Sequence, residues 1–577
     1  MGRIVRFLVV FFICLLNQGL FAEGTKQMMP HQDTLCYLQI VCEPFILGTF
    51  ATPCAPPERQ IYFTIASTTE KVYFGFKRWN FTGAVSYSIL NPLGVEVMTG
   101  EVSSTTAGYI ATYNQAVTGP SAVTTGGYNA LQYQPLMPGD YSIRFNISSW
   151  QYVLEFFDVT VVNASNQPVS GRLWSKKWNL AAQKQNNGYN YPLKCKLYVY
   201  SDDGLVTRLN LENLIPEYVS IICNAFGCSN TGDFIFDRQS LNGEHQLPQY
   251  KIFMNDPDST IFPTGIQGAI TMLDTSRNCD GSVTIAAEVT KSGLFEMLIN
   301  INSIPGYQTG DVQIIDSVYA GITNQFVWNG LNPNGTQVAN GTPVSIAIRY
   351  IQGITHLPLY NVIKNDGIKL ELIRPAGPSP AMYWDDHLVD PNSGTIYPPI
   401  VELGGCTSIN GCHKWLGADY STLNTWWYPV MIDWPLISFL HKRDQVFTTN
   451  ASICQGDSSL FQGNWYRRDT AFVHSFLSYN GCDSTYNYSL VVHPQPVADL
   501  GPDVILCQGN SITLDAGPGP QFSYLWNTGA TTQTIVVSAS GAYSVTVNTP
   551  FNCTASDAMH VTYFAVPPPG PIVIKHN

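Results

Sequence analysis

A five-residue phrase occurs twice near the C-terminus, as Cys454-Gln455-Gly456-Asp457-Ser458 and Cys507-Gln508-Gly509-Asn510-Ser511, with starts 507 − 454 = 53 residues apart. Each copy opens a run of alternating apolar residues that reaches a second cysteine, Cys482 in the first and Cys553 in the second. A fixed internal period marks an array of modules. A cysteine near each end of a short β-rich unit leads us to expect one disulfide per module, Cys454 with Cys482 and Cys507 with Cys553. Modules of this kind are small sandwiches suited to spacing and adhesion.

The N-terminus places Arg3 and Arg6 before the apolar run Phe7 to Leu16, followed by Leu20-Phe21-Ala22 and Glu23. That order reads as a secretory signal over residues 1–22, cut after Ala22. A membrane anchor needs about 20 apolar residues, more than this run supplies, and no later segment reads as a transmembrane segment. The expected location is extracellular or on the outer cell surface. One of the fourteen cysteines, Cys14, lies in the signal, which leaves 14 − 1 = 13 in the mature chain. An odd number in an oxidising compartment leaves at least one sulfur outside the intramolecular bridges. The net charge of −12 and pI near 5.2 argue against nucleic acid as a partner, because phosphate binding needs basic surface.

Charged residues are only 12% of the chain, half the usual quarter or so. With 47 glycines and 37 prolines, the expectation is many short strands joined by turns rather than long helices. A chain of 577 residues exceeds what one core sustains. The fold class expected is all-β, a tandem of β-sandwich modules of immunoglobulin-like or jelly-roll-like type.

The expected domains are a sandwich over 33–163, a β-rich domain over 164–276, an immunoglobulin-like domain over 277–441, repeats over 450–495 and 497–563, and a proline-rich tail over 564–577. Cys36, Cys42 and Cys54 cluster at the start of the first and staple its opening loop. Cys223 and Cys228 flank Asn224-Ala225-Phe226-Gly227, short enough for a local bridge. The third domain has the hairpin dipeptides Asn334-Gly335 and Asn340-Gly341. It also carries a Trp-rich insert in which Cys406 and Cys412 are expected to pair.

The second repeat reads Cys507 to Gly519, then Tyr524-Leu525-Trp526-Asn527-Thr528-Gly529-Ala530-Thr531-Thr532-Gln533, then Ser540-Gly541-Ala542-Tyr543-Ser544-Val545. It resembles the immunoglobulin-like repeats of surface proteins in gliding bacteria of the Bacteroidetes type, many exported by the type IX system. Gly481-Cys482-Asp483-Ser484-Thr485 looks like the companion repeat. Trp328-Asn329-Gly330 with Asn334-Gly335 is similar to the hairpin of hook-cap-type immunoglobulin modules. The resemblance implies a multi-domain surface protein associated with gliding motility. The sorting domain with which such proteins usually end is not read before Asn577.

Sought chemistry is sparse. There is no G-x-S-x-G elbow, no H-E-x-x-H helix, and no glycine-rich phosphate loop. No catalytic residue, metal or cofactor is therefore expected. Cys412-His413 cannot converge on one substrate, since neighbours on a strand face opposite ways. Tyr383-Trp384-Asp385-Asp386-His387 with Trp426-Trp427 is the one constellation suited to a ligand. Aromatic faces pack on sugar rings and carboxylates take hydroxyls or protons. Trp384, Asp385, Asp386, Trp426 and Trp427 are thus ligand-binding candidates, against the plainer reading that the tryptophans fill a core and the aspartates cap turns. Asp202-Asp203 and Asp256-Pro257-Asp258 lack a calcium-loop pattern and read as turns. Trp526 is expected to be buried against a Cys507–Cys553 bridge.

The function expected is adhesion or spacing by non-catalytic binding, with a surface polysaccharide or another surface protein as partner. The alternative is a carbohydrate-active enzyme or carbohydrate-binding subunit working through residues 383–428. That reading requires an open groove lined by the tryptophans, with two carboxylates roughly 5–10 Å apart.

Overall fold

Strand alternation is visible in burial. Val283–Val289 buries every second residue and Asn324–Trp328 does the same, so apolar side chains fall on one face of the pleat. The computed structural model describes residues 22–32, 36–42, 49–52, 54–79, 83–147, 151–182, 192–211, 214–216, 218–302, 304, 308, 310–360, 364–365, 368–385, 421–477, 481–565, 567 and 570. The signal read over 1–22 falls outside them except for Ala22, as do Asp386, Cys406 and Cys412. Among the described residues α-helix is confined to short turns, Thr25–Met28, Tyr113–Thr118 and Phe234–Asp237, with one 3₁₀ turn at Pro57–Arg59. No described helix is long and apolar enough to cross a membrane. The fold is all-β and modular, with two compact units.

The larger unit comprises residues 1–276, 283–338 and 343–440. Its main core lies between two large sheets, and their strands ignore the boundary expected near residue 164. Cys36–Val41 pairs with Lys177–Ala182, and Ile61–Ile65 pairs with Leu173–Ser175. Lys369–Arg374 adds a further strand from the third expected domain. The expected domains 33–163 and 164–276 are therefore one sandwich, whose core includes Phe63, Phe74, Tyr141, Trp178 and Ile252. Sequence order hides this because strands far apart along the chain alternate within each sheet.

A second sandwich follows in the same unit. Ile270–Arg277, Val283–Val289 and Asn324–Trp328 form one sheet, and Val312–Val318, Gly293–Asn300 and Pro343–Gln352 carry the other. Phe295, Trp328, Ile346 and Tyr350 fill its core. The hairpin motif behaves as its dipeptides require. Trp328 Nε1 donates to the Leu331 carbonyl at 2.8 Å, and Asn332 Oδ1 caps the turn by accepting from Asn334 and Thr336. Gly335 takes a positive φ of 74°, which its missing Cβ permits.

The smaller unit comprises residues 277–282, 339–342 and 441–577. In the first repeat, Gln445–Cys454 runs parallel to Asp483–His493, which pairs antiparallel with Thr470–Leu477. The second repeat reproduces the scheme. Val504–Cys507 runs parallel to Thr554–Phe564, which pairs with Gly541–Asn548. Trp526 is buried in the core of the second repeat with Leu514, Val547 and Met559, and donates to the Thr532 carbonyl.

The disulfides depart from expectation. Cys454 bonds Cys553 and Cys482 bonds Cys279, while Cys507 is free and exposed. Parallel pairing is the reason. Cys454 lies opposite His493 and Cys507 opposite Phe564, each at the far end of the strand that its repeat's second cysteine precedes. Eleven residues separate Cys482 from His493 (493 − 482) and Cys553 from Phe564 (564 − 553), a span of about 35 Å along a strand at roughly 3.3 Å per residue. A bridge inside one repeat is thereby excluded, and Trp526 packs without one.

Cys42–Cys54 closes the first loop. Cys223 and Cys228 are buried free thiols instead of a pair. Their loop is held by Asn224, whose Oδ1 accepts from Phe226 and Gly227 and whose Nδ2 donates to the Gly227 and Leu247 carbonyls.

Candidate functional site

The tryptophan pair lies on the strand Ser421–Trp427, flanked by Thr355–Tyr360 and Met382–Asp385. Consecutive residues point to opposite faces. Trp427 accordingly enters the main core and donates to Thr207 Oγ1 at 3.2 Å, while Trp426 enters a separate cluster with Tyr383 and Tyr428. Both are almost fully buried. Trp384 sits partly buried against the main core. Asp385 is buried and accepts from the Ser240 amide at 2.6 Å, its own carbonyl taking the Ser240 hydroxyl. Asp385 therefore joins two segments as a structural acceptor. Trp384, Asp385, Trp426 and Trp427 do not converge on an open groove.

Around Trp426 the fold buries a polar cluster that sequence reading missed. Arg238 Nη2 donates to Glu296 Oε1 at 2.7 Å, and both side chains are almost entirely enclosed. The guanidinium carbon stands 5.8 Å from the Trp426 ring and 5.7 Å from the Tyr428 ring, within cation–π range. Trp426 Nε1 donates to Tyr428 Oη, which approaches Glu296 at 3.4 Å. His356 is buried beside them with Nδ1 at 3.2 Å from Asn424 Oδ1. Burial, and then the Arg238 charge, push its imidazole down to about 3, so it is neutral at ordinary pH. The arrangement joins a paired cation, a paired anion and a neutral ring inside a closed core. It can hold strands in register and offers no nucleophile or entry path.

The acidic pairs act as turn anchors. Asp256 pairs with Arg374 and Asp258 with Arg172, and Asp202 accepts from Gln249. Among the described residues one cluster has metal-ligand composition, Cys279, Asp444 and Cys482. Both sulfurs there belong to a disulfide, which leaves a single carboxylate.

Exposed chemistry is concentrated in the first repeat. Along its parallel and antiparallel registers, Phe447 and His474 flank Tyr486, and Phe472 flanks Tyr488. These side chains share one face with Phe476. Ser459–Phe461 and Asn464–Tyr466 form a hairpin over one end of that face, with Phe461 stacked on Tyr488 at 4.4 Å and Tyr466 against Phe472. At the other end Phe447 stacks on Tyr486 at 4.7 Å, His474 lies 4.1 Å from Phe476, and Phe476 meets Tyr486 edge-on. Phe447 and Phe476 are 41% and 38% exposed, so this end is an accessible aromatic platform. Leu460 and Trp465, paired across the hairpin, are more exposed still. The opposite face presents Val446, Val473 and Val491. Apolar surface left open over one small module signals an interaction site. The pattern was available in the sequence: aromatic rings at 472, 474 and 476, and again at 486 and 488, share a face on strands.

In the larger unit, an open groove of about 680 Å³ lies over Leu298, Ala347, Pro343, Leu436 and Leu440. It is apolar and carries no titratable side chain.

No family model matches the chain, and no curated protein matches it. Among solved structures it is similar to Dpr11 IG1 bound to DIP-gamma, at 11% identity and TM-score 0.11, over 36% of this chain and 89% of that one. It is also similar to the N-terminal eight immunoglobulin domains of Down Syndrome Cell Adhesion Molecule, at 9% identity and TM-score 0.11, over 92% of this chain and 71% of that one. A third similarity is to trypsin-activated alpha-2-macroglobulin from Escherichia coli, at 8% identity and TM-score 0.11, over 88% of this chain and 44% of that one. At TM-scores this low, none of the three carries an argument about what the chain does.

Proposed function

We propose that the protein is an exported binding protein of the cell surface or surrounding medium, acting without catalysis, whose contact surface is the aromatic platform of the first repeat. The observation that carries this reading is the exposure of Phe447 and Phe476 around Tyr486 and His474, in a module where Tyr488 and Leu490 are the buried apolar strand residues. Ring faces of this kind stack on sugar rings or on a partner's apolar side chains. Three disulfides support an oxidising location, because such bridges persist outside the cytosol. The resemblance of the repeats supports an association with gliding motility and type IX export. A surface polysaccharide is the partner we favour, since the platform combines open rings with the Ser484 hydroxyl, paired beside Phe476 on the same face.

The reading is tested by fractionating cells and medium with an antibody to the chain, and by screening the purified protein on a glycan array. Recovery outside the cytoplasm with capture of one glycan class is the expected result. Retention in the cytoplasm, or no glycan bound while a surface protein is captured through the same rings, overturns the export or the polysaccharide part respectively.

A further inference from the structure

Glu23, the residue after the expected cleavage point, is completely buried. Its carbonyl accepts from Val159, and its side chain accepts from the Gly171, Arg172 and Leu173 amides and from Asn255 Nδ2. The next residue, Gly24, lies so close to the strand Gln151–Val162 that a Cβ there would stand 2.5 Å from the Phe157 carbonyl oxygen. The path of the chain at 23–24 is thus fixed by packing.

The Glu23 backbone nitrogen points at Asp158 Oδ1, 3.1 Å away. Asp158 is also fully buried. Its other partners are the Tyr128 hydroxyl at 2.7 Å and the Thr160 hydroxyl at 3.0 Å. All of these are neutral, and the nearby charged group, the Glu23 carboxyl, has the same sign. The neighbouring cation, Arg172, is committed to Glu70 and Asp258. A buried carboxylate without a cation is costly, and burial raises Asp158 to about 7.

We propose that cleavage of the Ala22–Glu23 peptide bond turns the Glu23 nitrogen into an α-ammonium group paired with Asp158, so that export processing completes the core of the first sandwich. The step is a hydrolysis: water adds across the bond, Ala22 leaves with the carboxylate, and the Glu23 nitrogen gains protons. Its site deepens the export reading and rests on it. Loss of Ala22 removes the carbonyl that Gln27 Nε2 contacts at 2.8 Å. Gln27 keeps Asn255 Oδ1 and the Gly24 amide, so the turn survives the cut.

Two measurements test the proposal. N-terminal sequencing of the exported protein is expected to read Glu-Gly-Thr-Lys-Gln from Glu23. Chains starting at Glu23 and at Ala22, each with and without Asp158→Asn, are then melted at neutral pH. The Glu23 start is expected to melt several degrees higher with Asp158 present and no higher with Asp158→Asn. Protection of the α-amine from acylation in the native Glu23 form gives a readout that needs no variant. An exported chain starting at another residue overturns the site while leaving export standing, and an uncleaved chain removes both. Equal melting of the two starts, or an α-amine acylated as fast as in a peptide, overturns the ion pair.

Discussion

Cys454 of the first repeat is bonded to Cys553 of the second, 99 residues away, in a junction where the His493 ring also stacks on Phe551 at 3.7 Å. Closing a loop of that length restricts the unfolded chain and stabilises by roughly 4–5 kcal/mol in the chain-entropy description. Cys454→Ser is therefore expected to lower the melting temperature of the repeats, and a non-reducing peptide map to link the peptides of Cys454 and Cys553. A map that links Cys454 to Cys482 instead would refute the cross-repeat scheme.

Thiol reactivity should follow exposure. Of the described free cysteines, Cys507 is exposed, whereas Cys36, Cys195, Cys223 and Cys228 are buried. A hydrogen bond from the Cys36 thiol to Cys195, then burial, raise the Cys36 thiol well above its ordinary range. Iodoacetamide is expected to label Cys507 in the native protein and the other four only after denaturation. Native labelling of Cys36 at a comparable rate contradicts the packing.

The enclosed Arg238–Glu296 pair makes a sharp stability prediction. Removing one partner leaves an uncompensated charge in the core, at a cost of about 3–5 kcal/mol. Glu296→Ala is expected to show that loss in denaturant titration. Arg238→Met with Glu296→Leu should recover much of it, and a single variant as stable as the native chain would show that the pair contributes nothing.

Two buried groups give stability opposite pH slopes. His356 titrates near 6.5 unfolded and about 3 folded, so the unfolded chain binds the extra proton between those values. Stability is full above pH 6.5 and falls as pH drops toward 3. His356→Gln should flatten that fall. Asp158 moves from 3.8 to about 7, so its contribution is greatest below pH 3.8 and is lost as pH rises toward 7. A chain that retains Ala22 should show this second loss, and the chain starting at Glu23 should not. Each slope is on the order of a few kcal/mol across its window.

For the aromatic platform, Phe447→Ala with Phe476→Ala is expected to reduce glycan capture at least tenfold with little change in melting temperature, because both rings are substantially exposed. Isothermal titration and a thermal melt on the same samples check this. Unchanged affinity moves the contact surface elsewhere.

Much of the β architecture can be read from local pattern. The alternation in Val283–Val289, the Asn334-Gly335 turn and the burial of Trp526 all follow from side-chain period and turn chemistry. Pairing between distant strands does not. Nothing near Cys454 reveals that its strand runs parallel to Asp483–His493, and that one fact redirects both repeat disulfides. The joint sandwich across residue 164 was hidden for the same reason, since Cys36–Val41 and Lys177–Ala182 carry no mark of their partnership. At Trp426 and Trp427 the two-residue period of a strand was enough to show that both rings cannot line one groove. The aromatic alternation at 472, 474 and 476 was equally legible as one face.

The Cys279–Cys482 and Cys454–Cys553 bridges overlap along the sequence. Tension entering at Cys279 can cross to Cys482, run back to Cys454 and cross again to Cys553. Of the 553 − 279 = 274 backbone steps between the outer sulfurs, only 482 − 454 = 28 then bear load. Fully drawn out at about 3.5 Å per step, that is roughly 100 Å instead of roughly 960 Å. A strained tether built this way yields little length before its covalent bonds take the pull, and the strands of residues 283–440 hang outside the stressed path.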